Sequence, residues 1–313
     1  MRAFIDAPQF NKGHFFGRHF KSPEVAYHAA TKIINEYTSD DLNKNNIVVN
    51  SDGRQINISG KKINIGSGAN VRDWTDWICF DEIDNVNVKK LRFDENFIFP
   101  LEDKSVSLAY SSHNFEHLPD ATIFRVLSEL RRVLKNKGLF ILKIPDYDWF
   151  LAQYRSGVKH SMIGKGLDKY ILDFWSASQL ENSYENSLSM MFCGYWNKAH
   201  GNQFGGVRDR DETTSYHGPA KVSIAQLNDI FSSSSPKKIV TKLKDIAILD
   251  PDFEAFNHQN AWSRDELKKM LLTYGFQVVS TDMDEICMQF YKNVPDLLSM
   301  KEWSSYYLCE QVT

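Results

Sequence analysis

From Lys61 onward the chain alternates short apolar strands with helices, and the first strand runs straight into Gly66-Ser67-Gly68. Residues 62–65, 77–81, 88–93 and 106–111 read as four strands, bounded by polar and glycine-containing turns. Residues 120–135 form the clearest helix. Ile123, Val126, Leu127, Leu130, Val133 and Leu134 recur there at helical spacing, and Lys135-Asn136-Lys137-Gly138 supplies the stop. Residues 139–144 follow as a fifth strand, apolar enough throughout to be buried on both faces. Such alternation specifies an α/β fold: a Rossmann-like, doubly wound, mostly parallel sheet with helices on both sides.

The pattern stops at Pro145 and returns at Trp262. Between them the chain reads as helices joined by polar loops, with stretches at 167–175, 179–192 and 222–231. At the return, Ser263 and Glu266 make a capping box, and Trp262 with Leu267 a hydrophobic staple. Met270, Leu271 and Tyr274 continue the stripe, Gly275 ends the helix, and 276–281 and 305–312 read as two final strands. The first 60 residues look like an appendage. Ser22-Pro23 opens a helix, and Ser51-Asp52-Gly53 sits between two short strands at 47–50 and 55–58. The expected organisation is therefore an appendage over 1–60, a core made of 61–145 and 261–313, and a helical insertion over 146–260.

Composition narrows the function classes. At 313 residues the chain is about twice the usual domain length of roughly 150, enough for a large core without staples. Lys+Arg 37 against Asp+Glu 40 leaves a net charge of −3, which argues against a dedicated nucleic-acid binder. No apolar run approaches the roughly 20 residues of a membrane span, and the N-terminus lacks the features of a signal peptide. Cys79, Cys193, Cys287 and Cys309 form no close pair, so neither a disulfide framework nor a zinc ribbon is expected. A cytoplasmic protein is the reading that follows.

In an open α/β sheet, ligands sit beyond the carboxyl ends of the strands. Here that end is Ile65-Gly66-Ser67-Gly68, where two glycines let a ligand approach the backbone closely. Asp81, at the end of the second strand, is placed to accept hydrogen bonds from ribose hydroxyls. A dinucleotide site would want a further glycine three residues after Gly68, to admit the pyrophosphate, and position 71 is Val. An adenosine cofactor without phosphate removes that need, and S-adenosyl-L-methionine is such a cofactor.

Further blocks follow in order: Trp77-Ile78-Cys79-Phe80-Asp81, Phe99-Pro100-Leu101-Glu102-Asp103, Ser111-Ser112-His113-Asn114-Phe115-Glu116-His117, and Leu130-Arg131-Arg132-Val133-Leu134-Lys135-Asn136-Lys137-Gly138. With the glycine loop, these resemble the cofactor-binding half of class I S-adenosylmethionine-dependent methyltransferases. The type 11 members, found with bacterial surface-polysaccharide and natural-product pathways, are the most similar. A second glycine is usual in that family where Lys137 stands. The resemblance implies an antiparallel final strand and S-adenosyl-L-methionine as cofactor. It places Gly66, Ser67 and Gly68 against the methionine and ribose and Asp81 at the ribose hydroxyls. Asp94 would lie near adenine N6, and Ser111, Ser112 and His113 along the sulfonium side. For Asp94 the plain alternative is a solvated loop acid.

The acceptor is less legible. A small molecule or a carbohydrate, methylated on a hydroxyl, is the expectation, and it needs a base at hydrogen-bond distance. His117, His217, His258 and Asp146 are the candidates. His113-Asn114-Phe115-Glu116-His117 also satisfies the H-x-x-E-H metalloprotease pattern, which requires both histidines on one helix face. Pro119 argues against that helix. In ubiquinone-pathway O-methyltransferases, Glu-x-x-Glu-His at this place holds a divalent ion; Glu116 and His117 match two positions and His113 replaces the first Glu. A weak metal site at His113, Glu116 and His117 stays open; the plainer reading is that Glu116 and His117 orient loops around the cofactor, and no metal ligand is assigned. Asp146-Tyr147-Asp148 and Asp209-Arg210-Asp211 leave a glycosyltransferase with a D-x-D metal–diphosphate site as an alternative. A non-catalytic binding protein on the same fold is another. Arg208 and Arg210, in a glycine-rich aromatic loop, are suited to a phosphate or carboxylate, or else form a solvated face.

Overall fold

The computed structural model describes residues 47–49, 55–68, 71–157, 188–189, 191–192, 196–197, 201–202, 223–246 and 257–312. Strands β1 (Ile47–Val49) and β2 (Gln55–Asn57) pair antiparallel as the expected hairpin. The main sheet comprises β3 (Lys61–Ile65), β4 (Trp77–Asp81), β5 (Val88–Lys90), β6 (Val106–Ser112), β7 (Leu134–Pro145), β10 (Phe276–Ser280) and β11 (Ser304–Gln311). Their order across the sheet is β10-β11-β7-β6-β3-β4-β5. The pairs among β3 to β7 are parallel, and β11 runs antiparallel to both β7 and β10.

This order fixes where a ligand can go. The chain runs outward from β3 through β4 to β5, then crosses back so that β6 lies on the other side of β3. Loops leaving β3 and β6 therefore part in opposite directions and open a crevice between them, at the carboxyl ends of both strands. Helix α1 (Asp120–Val133) returns the chain to β7. Val126, Leu127 and Leu130 are fully buried on one sheet face against Ile65, Phe80 and Phe140. Each such side chain contributes on the order of 1.5–3 kcal/mol on burial. Helix α5 (Arg264–Thr273) covers the same face with Leu267 and Leu271, and its capping box and the buried pair Trp262 and Leu267 are as the sequence indicates. Helix α6 (Met283–Phe290) covers the opposite face through Ile286, Cys287 and Phe290.

Three local departures from expectation have physical causes. Strand β7 begins at Leu134, directly after the helix, and its pairing with β6 slips between Leu134 and Leu139. Lys137 sits in that slip with φ +62, the left-handed conformation that glycine adopts most readily. A lysine holds that conformation only at a cost in backbone strain. The third strand ends at Lys90 rather than residue 93, because its partner β4 ends at Asp81, whose carbonyl takes the last ladder bond from Leu91 N at 2.8 Å. Helix α6 carries its own N-cap, Asp282 accepting from Glu285 N at 2.9 Å, which the sequence reading missed.

After Pro145 the described residues form a second hydrophobic cluster. Helices α2 (Tyr147–Arg155), α3 (Ile224–Ser233) and α4 (Pro236–Ile246) pack Tyr147, Phe150 and Leu151 against Leu227, Phe231 and Ile239. A two-residue ribbon, β8 (Trp196–Asn197) with β9 (Gly201–Asn202), is the only strand pairing among the described residues of this region. Helix α4 had no counterpart in the sequence reading. The expected helix at 167–175, most of that at 179–192, and the Arg208–Arg210 loop lie outside the described residues.

Candidate functional site

The glycine loop is built by the sheet that precedes it. Gly66 N and Ser67 N both donate to the Phe80 carbonyl, at 2.8 and 3.2 Å, so the loop is hooked over the end of β4. Gly68 N then donates to Asp81 Oδ2 at 2.8 Å, and Asp81 Oδ1 accepts from Ile83 N at 3.2 Å. A carboxylate has about four lone-pair positions, so Asp81 keeps acceptor capacity for ribose hydroxyls while holding the loop. Both glycines have positive φ, +70 at Gly66 and +66 at Gly68, but their surroundings differ. A Cβ on Gly66 would lie 2.2–2.5 Å from the side chain of Asn114, whereas a Cβ on Gly68 would meet nothing within 4 Å. The space beside Gly68 is thus open to a ligand, bordered by an acid and main-chain groups, and fits an adenosine cofactor.

Asn114 is a neighbour that the sequence reading passed over. Its Nδ2 is buried without a hydrogen-bond partner, next to Gly66. The signal was its place directly after His113 in the turn that leaves β6. His113 itself has φ +47, which ends the strand and aims the following turn back under the loop.

Of the other residues that the resemblance places at the cofactor, two make bonds within the protein. Ser111 is fully buried, and its hydroxyl donates to the Ile65 carbonyl at 2.9 Å, joining β6 to β3 inside the sheet. In a strand buried on both faces the hydroxyl needs such an internal partner. Asp94 Oδ1 accepts from Asn96 N at 2.8 Å and Oδ2 lies 3.3 Å from Arg92 Nε, so this acid shapes its own loop. Ser112 is half-buried at the end of β6, at the crevice edge.

Beyond β6 the chain makes a single 3-10 turn, Phe115–His117. The H-x-x-E-H string is therefore not on a continuous helix, and its two histidines diverge. His113 Nε2 contacts Ser304 Oγ at 2.8 Å and its Nδ1 lies 3.2 Å from Glu116 Oε1. His117 instead meets His258, ring centroids 4.6 Å apart and nearly perpendicular. His258 arrives from the end of the insertion because Gln259 N and Asn260 N both donate to the Glu116 carbonyl, at 2.6 and 3.0 Å. Asn260 Nδ2 adds a bond to the Leu118 carbonyl at 2.7 Å. Tyr147 Oη lies 3.2 Å from His258 Nδ1.

Burial dominates the electrostatics of this cluster. It pushes His258 down to about 3, with His117 beside it acting in the same direction, and it lowers His117 as well. Both imidazoles are thus neutral near pH 7. Burial would raise the Glu116 carboxyl, but the His113 contact outweighs it and, with the other two histidines, holds the group well below the usual range.

Asp146 caps helix α2, its Oδ1 accepting from Trp149 N at 3.1 Å, and its Oδ2 pairs with Arg264. Asp148 Oδ2 accepts from Arg264 N at 2.7 Å. The first D-x-D string is thus occupied in joining the insertion to helix α5, which corrects the diphosphate-binding alternative there. The second, Asp209–Asp211, and the base candidate His217 lie outside the described residues.

Residues 80–142 match the family model described as a methyltransferase domain. No curated protein matches the chain. A solved S-adenosylmethionine-dependent methyltransferase from Aquifex aeolicus is 11% identical, with 90% of this chain and 93% of that chain covered, at a TM-score of 0.34. One from Mesorhizobium loti is 10% identical over 81% and 92% of the two chains, at 0.35. A third, from Thermotoga maritima, is 24% identical over 34% and 55%, at 0.26. The matched domain, the sheet order and the Gly66–Asp81 loop agree. Residues 80–142 thus carry a methyltransferase domain, whose cofactor is S-adenosylmethionine.

Proposed function

We propose that this enzyme transfers the methyl group of S-adenosylmethionine to a hydroxyl of a small-molecule or carbohydrate acceptor, in a pathway of the surface-polysaccharide type. The observation that carries the reading is the crevice between the β3 and β6 loops. One wall is the glycine loop with Asp81, and the other is the turn at 113–117, lined by imidazole and carboxylate groups. The sulfonium is already activated, so the protein's task is to align nucleophile, methyl and sulfur and to exclude water. In this reading residues 146–260 cover the acceptor side. Support comes from the hydrogen bonds of Gln259 and Asn260 to the turn at Glu116, which bring the end of the insertion to that edge.

The base is assigned to His217. A general base works best with a pKa near the operating pH, and an ordinary imidazole titrates near 6.5. Burial presses His258 well below that value and lowers His117 too, and both oxygens of Asp146 already have partners. The test is a pair of measurements on each protein: calorimetric affinity for S-adenosylhomocysteine, and radiolabelled methyl transfer to a panel of sugars with free or blocked hydroxyls. Transfer restricted to free hydroxyls, with His217→Ala lowering it by roughly 10²-fold and leaving cofactor affinity unchanged, is the expected result. Transfer that persists on acceptors offering only an amine would overturn the hydroxyl reading. Unchanged turnover in His217→Ala would remove that residue from the chemistry.

A further inference from the structure

Glu116, His117 and His258 each place one ligand-type atom within 4.8 Å of the other two. Glu116 is fully buried, and its Oε2 has no hydrogen-bond partner; neither does the buried His117 Nδ1. Buried carboxylate oxygens and imidazole nitrogens ordinarily have partners, because an unpaired one forfeits its hydration for nothing. Two such orphans on residues whose ligand-type atoms cluster within 4.8 Å, with His258 as the third donor, point to a shared partner.

The surrounding chain holds these atoms in place independently of any contact among them. The main-chain bonds from Gln259 and Asn260 to the Glu116 carbonyl, and the Asn260 side chain on the Leu118 carbonyl, fix the two segments to each other. His113, itself held by Ser304, contacts the other oxygen of Glu116, and Tyr147 orients the His258 ring. Such outer partners are what ligating carboxylates and imidazoles have in metal sites. The donor chemistry is two imidazole nitrogens and one carboxylate, with no sulfur. That set suits zinc and its neighbours far better than magnesium or calcium, which take mainly oxygen.

We propose that Glu116, His117 and His258 bind a divalent transition-metal ion of the zinc class, joining the turn after β6 to the end of the insertion. Atoms up to 4.8 Å apart need to draw in by about 1 Å to reach a zinc ion at roughly 2.0–2.2 Å, a rotamer-scale adjustment. Three protein ligands leave a coordination position for water or an acceptor oxygen. The ligand set is not the H-x-x-E-H string. His258 takes the place of His113, which becomes a positioning residue for Glu116.

The experiment uses the full chain, stripped with a chelator and titrated calorimetrically with zinc chloride and, separately, magnesium chloride. One zinc per chain is expected, with no saturable magnesium binding. His117→Ala and His258→Ala should each weaken zinc binding at least tenfold, in samples whose affinity for S-adenosylhomocysteine shows that the core is folded. Zinc-edge X-ray absorption on the unaltered protein gives an answer even where a variant does not fold. A shell of imidazole nitrogen and oxygen supports the site, and sulfur in the shell overturns it. Zinc binding that neither substitution weakens, or no saturable binding at all, overturns it too. Cofactor binding is read separately, so failure of the metal site and failure of the methyltransferase reading are distinguishable.

Discussion

At the β3–β4 end of the crevice, the groups proposed to meet the cofactor are main-chain atoms and one acid, all held by bonds between adjacent strands: Gly66 and Ser67 to Phe80, Gly68 to Asp81. At the β6 end, the polar groups are side chains from segments far apart in sequence, Glu116 and His117 with His258, and two of their atoms have no partner. The first wall is preorganised by the fold and open beside Gly68. The second depends on the insertion arriving in register. A ligand wall made of backbone should be sensitive to shape, whereas one made of converging side chains should be sensitive to the identity of each group.

The harshest way to break this contrast is Gly66→Val. A Cβ at φ +70 would lie within 2.5 Å of Asn114, and a β-branched residue strongly resists that conformation. Affinity for S-adenosylhomocysteine should fall about 100-fold, roughly 2.8 kcal/mol by calorimetry. A loss under threefold would mean that the loop's close approach is irrelevant to binding. Asp81→Ala and Gly68→Val come next, each costing about tenfold, roughly 1.4 kcal/mol. The first removes the acceptor that holds Gly68 N; the second fills the open space beside it. If both bound the cofactor as tightly as the parent, the site would have to lie elsewhere.

Asn114→Ala sharpens the comparison, since Asn114 stands between the two walls. Its buried, unpartnered Nδ2 gains a use if it donates to the cofactor, so the variant should lose affinity by about 1 kcal/mol, some fivefold. Equal affinity, measured at the same temperature, would make its role purely steric against Gly66. The smallest effect on binding belongs to Ser111→Ala. Its hydroxyl joins β6 to β3, so the thermal midpoint should drop by the equivalent of about 1 kcal/mol while cofactor affinity stays the same. Loss of affinity without loss of stability would return Ser111 to the cofactor.

Some matched blocks turn out to be structural, and this explains why they were legible. The Phe99-Pro100 step is held by Arg132, whose guanidinium donates to the Phe99 and Leu101 carbonyls at 2.9 Å each and pairs with Glu129 and Asp103. Glu129 in turn accepts from Phe99 N at 3.0 Å. A motif of this kind reports the fold, because each of its residues closes a loop that the next strand needs.

The succession of core strands along the chain, the glycine turn after the first of them, Asp81 at the end of the second, and the capped helix at Ser263 were determined by the sequence alone. Each depends on spacing within one element or between adjacent ones, where periodicity and turn chemistry act directly. The bond from Ser111 to the Ile65 carbonyl was not legible, because its type and position do not say which carbonyl its hydroxyl will find. Asp146 and Asp148 read as a free pair until Arg264 arrived from beyond the insertion. His258 was marked by its loop before the last helix, but only main-chain bonds to the Glu116 carbonyl bring it to His117. Long-range convergence is decided by how the insertion packs against the sheet, and no local pattern encodes where a side chain lands after so long an excursion.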